Sequence, residues 1–580
     1  MKKYRKYGLA LFVFAALIVI YYFFFSPDQR LMRMADDYFD HYYFQENPTL
    51  ATSLGVHKYD SQLENYSKSR VAYQIKELNK FAARVERTDP QQLSVQVQGD
   101  RELLLSSIKS QLLTLETIRP LENNPDTYSS GIAASAFVIM SRQYASADER
   151  LRSLVAREKQ MPQVLQEARN NLHNPPKIFT DVALEQLPGI IDFFQHDVPL
   201  AFANTKDPAL KKQFDIANAA VIQALHDYQT WLRTVMLPLS HGDFRLGANI
   251  FRQKLWYDEM VDAPLDQLIA MDLEDMHRNQ KEFARVAKAI DPNKTPQQVL
   301  QMMMVDYPQP RSLLTSFSNT FDQLIQFIKN KHLITIPSDV RPILQETPPF
   351  MRALTFASMD TPGPFEKHAT EAYFNVTLPN ANWDKQKTQD FMKLFNYPVI
   401  SSIAVHEAYP GHYVQFLWVP LNRDRVRKVL GASSNSEGWA HYCEQMMLDE
   451  GFGPQGNDVK SKRELNMLRM GELLEALLRN ARFVVGIKLH TGEMTFDQAV
   501  NFFEKEGYQS HATSVVETKR GTSNPTYLYY TLGKLEILKL RADVKAKQGA
   551  AFNLQKFHDD FMRQGFPPIK IVRRAMLGET

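Results

Sequence analysis

The chain has 580 residues and a mass of 66.9 kDa, with 44% hydrophobic, 23% charged and 11% aromatic residues. This is an ordinary globular composition, and it excludes collagen-like, low-complexity and largely disordered chains. Five of the 68 basic residues and one of the 65 acidic residues fall in the first thirty positions, so the remainder carries a net charge of −1 and has no basic surplus for nucleic acid. A single cysteine, Cys443, excludes an intrachain disulfide, a CxxC redox pair and a zinc finger.

Gly8–Phe25 holds no charged residue. As a helix this stretch would be about 27 Å long, close to the ~30 Å of a hydrocarbon core. MKKYRKY precedes it, and it ends in Tyr21, Tyr22, Phe23, Phe24 and Phe25. Those rings are too bulky for an A-x-A-like cleavage site and suit an interfacial anchor. The expectation is a membrane anchor over residues 1–29, single-pass in a bacterial inner membrane, with a cytoplasmic N-terminus and a periplasmic body over residues 30–580. Export as a soluble protein after signal cleavage is the alternative. No cysteine stands directly after the segment, so a lipid anchor is not expected.

Apolar residues at helical spacing then run through Arg70–Glu86, Gln92–Glu116, Ala147–Asn171, Pro208–Val235 and Leu265–Ala289. The punctuating "TDPQQL", "KDPALKK" and "DPNKTPQQ" have the Asp-cap and first-turn Pro of helix starts. From about 332 to 380 the texture changes. "HLITIP", "RALTFAS" and "EAYFNVTLP" are rich in β-formers and predict a small antiparallel sheet inserted in a helical body. Helices resume over Tyr397–Val419, Glu437–Glu450, Lys460–His490, Thr526–Lys547 and Asn553–Arg563. No internal repeat or long linker divides the chain, so one mainly α body behind one anchor is expected.

The densest cluster of chemistry is Val405-His406-Glu407-Ala408-Tyr409-Pro410-Gly411-His412-Tyr413. A hydrolytic zinc site needs neutral imidazoles, an open position for water, and a carboxylate beside that water as general base. In HExxH the histidines share a helix face at i and i+4. Here they stand at i and i+6, which a regular helix places about 120° and ~9 Å apart. Pro410 opens the helix at this turn and Gly411 permits unusual backbone angles. A bulge that absorbs two residues would restore an i, i+4-like arrangement. His406 and His412 are thus candidate ligands and Glu407 the candidate base.

A third ligand is sought in "SSNSEGWAHYCE", Ser433–Glu444. With Asn435 or Ser436 as N-cap, Glu437 falls in the first turn, and Glu437, His441 and Glu444 share one face. Glu437 is the favoured ligand, with His441 and Glu444 as partners of the ligands. Glu444 as the ligand, or Glu437 as a plain capping acid, are the alternatives.

"HEAYPGHYVQ" followed by "SEGWAHYCE" resembles the DUF885 family of bacterial proteins, predicted gluzincin-like zinc metallopeptidases. "NPTLATSLGVHKYD" (Asn47–Asp60), "RLGANIFRQKL" (Arg245–Leu255), "GKLEILKLR" (Gly533–Arg541) and "FHDDFMRQGFPP" (Phe557–Pro568) extend the likeness over most of the body. The resemblance implies a helical fold around a deep channel, a peptide substrate, Zn²⁺ on His406, His412 and Glu437, and Glu407 as base. Its C-terminal tyrosine falls on Tyr530, where a phenol would stabilise an oxyanion. Arg482, His490 and Arg520 match polar positions that line the site. Tyr413 and Gly486 depart from the family pattern, which has a histidine and an acid there.

The function expected is therefore a membrane-anchored, zinc-dependent peptidase. The alternatives are a zinc hydrolase of a non-peptide amide or ester, and a non-catalytic binding protein with the same fold. No GxSxG, GxxxxGK[ST] or GxGxxG motif supports another catalytic class or an organic cofactor. Oligomeric state and the end from which peptides are cut are not encoded in any motif.

Overall fold

A computed structural model describes residues 26–347, 352, 356–380 and 382–579. The expected anchor, Gly8–Phe25, lies outside these residues. Among the described residues no helix is long and apolar enough to cross a membrane.

The protein is mainly α-helical, with one three-stranded sheet. In the N-terminal half, Lys68–Glu86, Val95–Leu113 and Pro208–Trp231 form near the expected places, the first capped by Ser67 and the last by Asp207 with Pro208 in its first turn. The expected single helix over Ala147–Asn171 is two, Ala147–Glu158 and Met161–Asn171. Pro162, which has no N–H for the carbonyl of Glu158, accounts for the break. "DPNKTPQQ" starts a helix at its second proline, with Thr295 as the cap, and "TDPQQL" makes only a short turn over Pro90–Gln92.

The elements that build the site are α1 (Gly247–Glu259), α2 (Leu265–Ile290), α3 (Leu313–Lys331), α4 (Tyr397–Glu407), α5 (His412–Trp418), α6 (Ser433–Asp449), α7 (Val459–Thr491), α8 (His511–Ser523), α9 (Tyr529–Gln548) and α10 (Leu554–Met562). α6 crosses α9 at glycine on both sides. A Cβ on Gly533 would lie 1.9 Å from the Ser434 carbonyl oxygen, and one on Gly438 would lie 2.5 Å from the Gly533 Cα. Only hydrogen at these positions lets the two backbones touch. α2 and α7 are tied by buried polar groups. Asn480 of α7 donates to Asp272 at 2.8 Å and to Asp275 at 3.0 Å, and Lys534 of α9 donates to Asp275 at 3.1 Å.

The sheet comprises β1 (Ile343–Glu346), β2 (Ala357–Asp360) and β3 (Tyr373–Val376), in the order β1-β3-β2. It is mixed where an antiparallel one was expected: β3 runs parallel to β1 and antiparallel to β2. β3, drawn from "EAYFNVTLP", is the central strand, paired on both sides. Phe374 on β3 packs against Phe317 and Phe321 of α3, at ring-centre distances of 5.1 and 5.0 Å, and this closes one face of the sheet. "HLITIP" forms no strand. Leu333 and Ile334 are buried, but the local polar groups are met by side chains: His558 bonds the Leu333 carbonyl, Trp418 the Thr335 carbonyl, and Asp559 the Thr335 N–H and hydroxyl. β-forming residues here satisfy α10 instead of a ladder.

Candidate metal centre

The expected long helix over Tyr397–Val419 is broken where Pro410 and Gly411 stand. α4 stops at Glu407 and α5 starts at His412, so the bulge expected inside one helix is a full break between two. The Ala404 carbonyl accepts from both Ala408 and Tyr409, at 3.1 and 3.0 Å, and Val405 accepts from Gly411 at 3.0 Å. A Cβ on Gly411 would stand 1.8 Å from the carbonyl oxygen of His406, so only glycine fits the fold-back. Trp439 of α6 donates to the Pro410 carbonyl at 2.9 Å and fastens the break to the helix that carries the third candidate ligand.

That fold-back brings the two imidazoles together, with ring centres 4.9 Å apart and planes at 87°. Nε2 of His406 lies 3.3 Å and Nε2 of His412 3.4 Å from the same oxygen, Oε2 of Glu437. The donor atoms of all three residues lie within 4.8 Å of one another, and the three form a cluster able to hold a cation among the described residues. Tetrahedral zinc with bonds of about 2.1 Å has ligand atoms about 3.4 Å apart. The two nitrogen-to-oxygen spacings match that value, so the three residues fit zinc, which takes a fourth ligand.

Glu444 is not a competing ligand. Oε1 accepts from Nδ1–H of His406 at 2.7 Å, which turns the lone pair of Nε2 toward Glu437, and Ser402 donates to Oε2 at 2.8 Å. Arg479 stands 3.2 Å from Oε1. Burial pushes this carboxyl up, but Arg479 and His406 outweigh it and hold Glu444 well below the usual range. Glu437 is held low against the same push by His412 and His406. Burial favours a neutral His406, yet Glu437 and Glu444 raise it to about 9. Two carboxylates around one buried imidazole demand positive charge between them, and a divalent cation meets the same demand.

Glu437 sits one turn further into its helix than expected. α6 starts at Ser433, behind Ala432, with no capping side chain of its own. Glu259 of α1 accepts the Ser434 N–H at 2.9 Å and caps the helix from outside. Asn435, the expected cap, is buried and committed elsewhere: it donates to the Pro567 carbonyl at 2.7 Å and accepts from Gln415 at 2.9 Å. His441 lies 3.7 Å from Glu444 and is driven to about 3 by burial, with Lys534 acting in the same direction. It is a neutral packing residue whose ring nitrogens have no hydrogen-bond partner among the described residues.

Glu407, next to His406 at the end of α4, is half-buried, and its carboxylate makes no hydrogen bond or ion pair with a described residue. Tyr530, at the start of α9, faces His406 with ring centres 6.4 Å apart. Arg520 donates to its hydroxyl at 3.2 Å, which leaves the phenolic hydrogen free to donate in turn. Burial and the Glu437 charge raise this phenol to about 12, so it stays protonated. Arg482 also packs over Tyr530 and grips Glu517 through two bonds of 2.7 and 2.8 Å.

His490 does not line the site. It lies buried beside Phe244 and Phe251 and bonds the Gly521 carbonyl at 2.8 Å. Ser402, Arg479 and Glu259 are the residues of the centre that sequence reasoning missed. Arg479 had a signal: Glu475, Arg479 and Arg482 share one helix face at i, i+4 and i+7 within the apolar stretch Leu473–Leu489. A cavity of about 1040 Å³ lies between α3, the start of α4 and the start of α7, but none of the three candidate ligands lines it, nor does Tyr530. The deep channel expected around the site is therefore not this cavity.

Fold and site together define a helical protein built around a two-histidine, one-carboxylate cluster. The chain belongs to the family described as bacterial protein of unknown function (DUF885), whose profile matches residues 48–576. Two solved structures, each described as a "putative lipoprotein", share the fold. One, from Shewanella oneidensis and of unknown function, is 23% identical with a TM-score of 0.78, over 95% of this chain and 100% of its own. The other, from Colwellia psychrerythraea, is 17% identical with a TM-score of 0.78, over 95% of this chain and 99% of its own. At these identities the likeness is one of fold. No curated protein matches the chain.

Proposed function

We propose that the protein is a zinc-dependent hydrolase of peptide bonds, exported and held at a membrane. The observation that carries this is the convergence of His406 Nε2 and His412 Nε2 on one oxygen of Glu437, at 3.3 and 3.4 Å, with the uncommitted carboxylate of Glu407 on the residue after His406. His406, His412 and Glu437 would hold the zinc. When bound, that ion supplies a Lewis acid for a carbonyl and lowers the pKa of a water.

The remaining work falls to the chain's own groups. Glu444 fixes the tautomer and direction of the His406 ring. Glu407 takes the proton of the attacking water and returns it to the leaving amine. The Tyr530 hydroxyl, still protonated, donates to the oxyanion as charge develops there. A membrane location is supported by the uncharged stretch Gly8–Phe25 and by the lipoprotein description of both fold neighbours.

The test compares three full-length proteins for metal content and peptide hydrolysis. Wild type binds one zinc and cleaves. Glu407→Gln keeps the metal and loses about 10²- to 10⁴-fold in rate, the usual contribution of a general base. His406→Ala loses stoichiometric zinc. A wild type without zinc, or a fully active E407Q, overturns the proposal.

A further inference from the structure

Three guanidinium groups converge on the Tyr530 ring, at 5.6 Å (Arg479), 5.1 Å (Arg482) and 6.0 Å (Arg520) from its centre. Two of them have carboxylate partners. Arg479 reaches Glu444 and Glu475, each at 3.2 Å, and Arg482 grips Glu517 with both prongs. Arg520 has no carboxylate within ion-pair distance among the described residues, and the hydrogen bond of its side chain goes to the Tyr530 hydroxyl. A cation that always carries its charge thus stands beside the candidate oxyanion donor with most of its fork uncommitted.

The position of Arg520 is held from behind. The carbonyl of Gly521, the next residue on α8, is bonded by Nε2 of buried His490 at 2.8 Å. A Cβ on Gly521 would meet the Tyr527 hydroxyl at 2.5 Å, so that ring packs directly on the backbone. The guanidinium is therefore presented from a clamped turn, which lowers the ordering cost of binding a partner.

Resting on the hydrolase reading above, we infer that Arg520 recognises the C-terminal carboxylate of the peptide substrate. A carboxylate matches the planar fork in two parallel bonds. Every unblocked peptide carries one at a fixed distance from its last amide bonds. Tyr530 touches Arg520 on one side and faces His406 on the other, so an end anchored at Arg520 brings amides near that terminus to the cluster. The substrates are then short peptides with a free carboxyl end, cut close to it.

The test measures binding by calorimetry to the zinc-loaded E407Q protein, which removes turnover. The probes are a tetrapeptide acid, its C-terminal amide, and an amidated version ending in glutamate. The acid binds more tightly than its amide by roughly ten- to a hundredfold, the size of a charge-assisted bond, and adding R520Q erases the difference by weakening only the acid. R520K, which keeps charge but not the fork, restores part of it. In protein with Glu407 intact, the same preference falls mainly in KM. Equal binding of acid and amide, equal weakening of both by R520Q, or glutamyl amide binding as well as the acid each overturns the assignment. Preferential binding with no hydrolysis by wild type sinks the hydrolase reading and leaves the carboxylate site standing.

Discussion

Glu444 shows how much of this centre is set by residues that would never touch substrate. Its side chain is sealed from solvent, and each oxygen is committed: one to His406 and Arg479, the other to Ser402. The carboxylate is kept ionised by Arg479 and does two jobs, fixing the His406 tautomer and adding negative charge behind a cation site. Glu444→Gln keeps the shape but removes that charge and one acceptor. Zinc affinity should fall about 10- to 100-fold, the usual cost of losing such a partner, while the far-ultraviolet circular dichroism stays unchanged. A competition titration against a chelator measures it, and unaltered affinity would reduce Glu444 to a packing residue. At this scale the sequence was legible where chemistry is rare. A His-Glu pair, a Pro-Gly break and a second histidine point to a metal without help from the fold. It was opaque where the residue type is common: Ser402 and Glu259 look like any other serine and glutamate until two helices meet.

The elements impose their own conditions on those residues. Glu437 and Glu444 ride on α6, and Tyr530 rides on α9; their relative placement depends on a crossing where Gly533 meets the Ser434 carbonyl with no room for a methyl. Gly533→Ala forces the helices apart. It should cost about 1–3 kcal/mol of stability, as overpacking does, and weaken zinc binding because Glu437 moves away from both histidines. Gly189→Ala, in the helix Lys177–Asp192 with nothing near its would-be Cβ, is the control and should be neutral or stabilising by up to about 1 kcal/mol. Chemical denaturation and zinc titration of the two variants distinguish packing at the crossing from a general intolerance of alanine. Periodicity found most long helices because their apolar faces repeat, yet it missed the stop before Pro162, and the opening that Pro410 and Gly411 signalled is a full break rather than a bulge. The sheet was foreseen in kind but not in pairing. Local β-propensity says nothing of which strand lies in the middle, and β3 is central because it carries Phe374 into the α3 face.

Across the whole molecule, burial shifts several acids upward, and this sets how stability responds to pH. Burial raises Glu259 and Glu472 to about 7, Glu536 to about 8, and Glu158 well above its ordinary value. Glu158 is the plainest case. It ends the helix Ala147–Glu158, is fully buried, and both carboxylate oxygens lack a partner among the described residues. The helix dipole at that end also disfavours negative charge. The unfolded chain releases this proton near pH 4.5, whereas the folded chain keeps it, so folding takes up a proton. Stability from this group is therefore full below pH 4.5 and declines as pH rises toward the folded value, by up to about 1.4 kcal/mol per unit. Buried His558, driven to about 3 by burial, acts in the opposite sense: it stays neutral while the unfolded imidazole charges, so acid below about pH 6.5 erodes stability. Glu158→Gln removes only the first effect. Its unfolding midpoint in denaturant should match wild type near pH 4 and exceed it by a margin that widens from pH 5 to pH 8. Parallel curves across that range would mean that Glu158 reaches water or a partner and carries its charge in the folded protein.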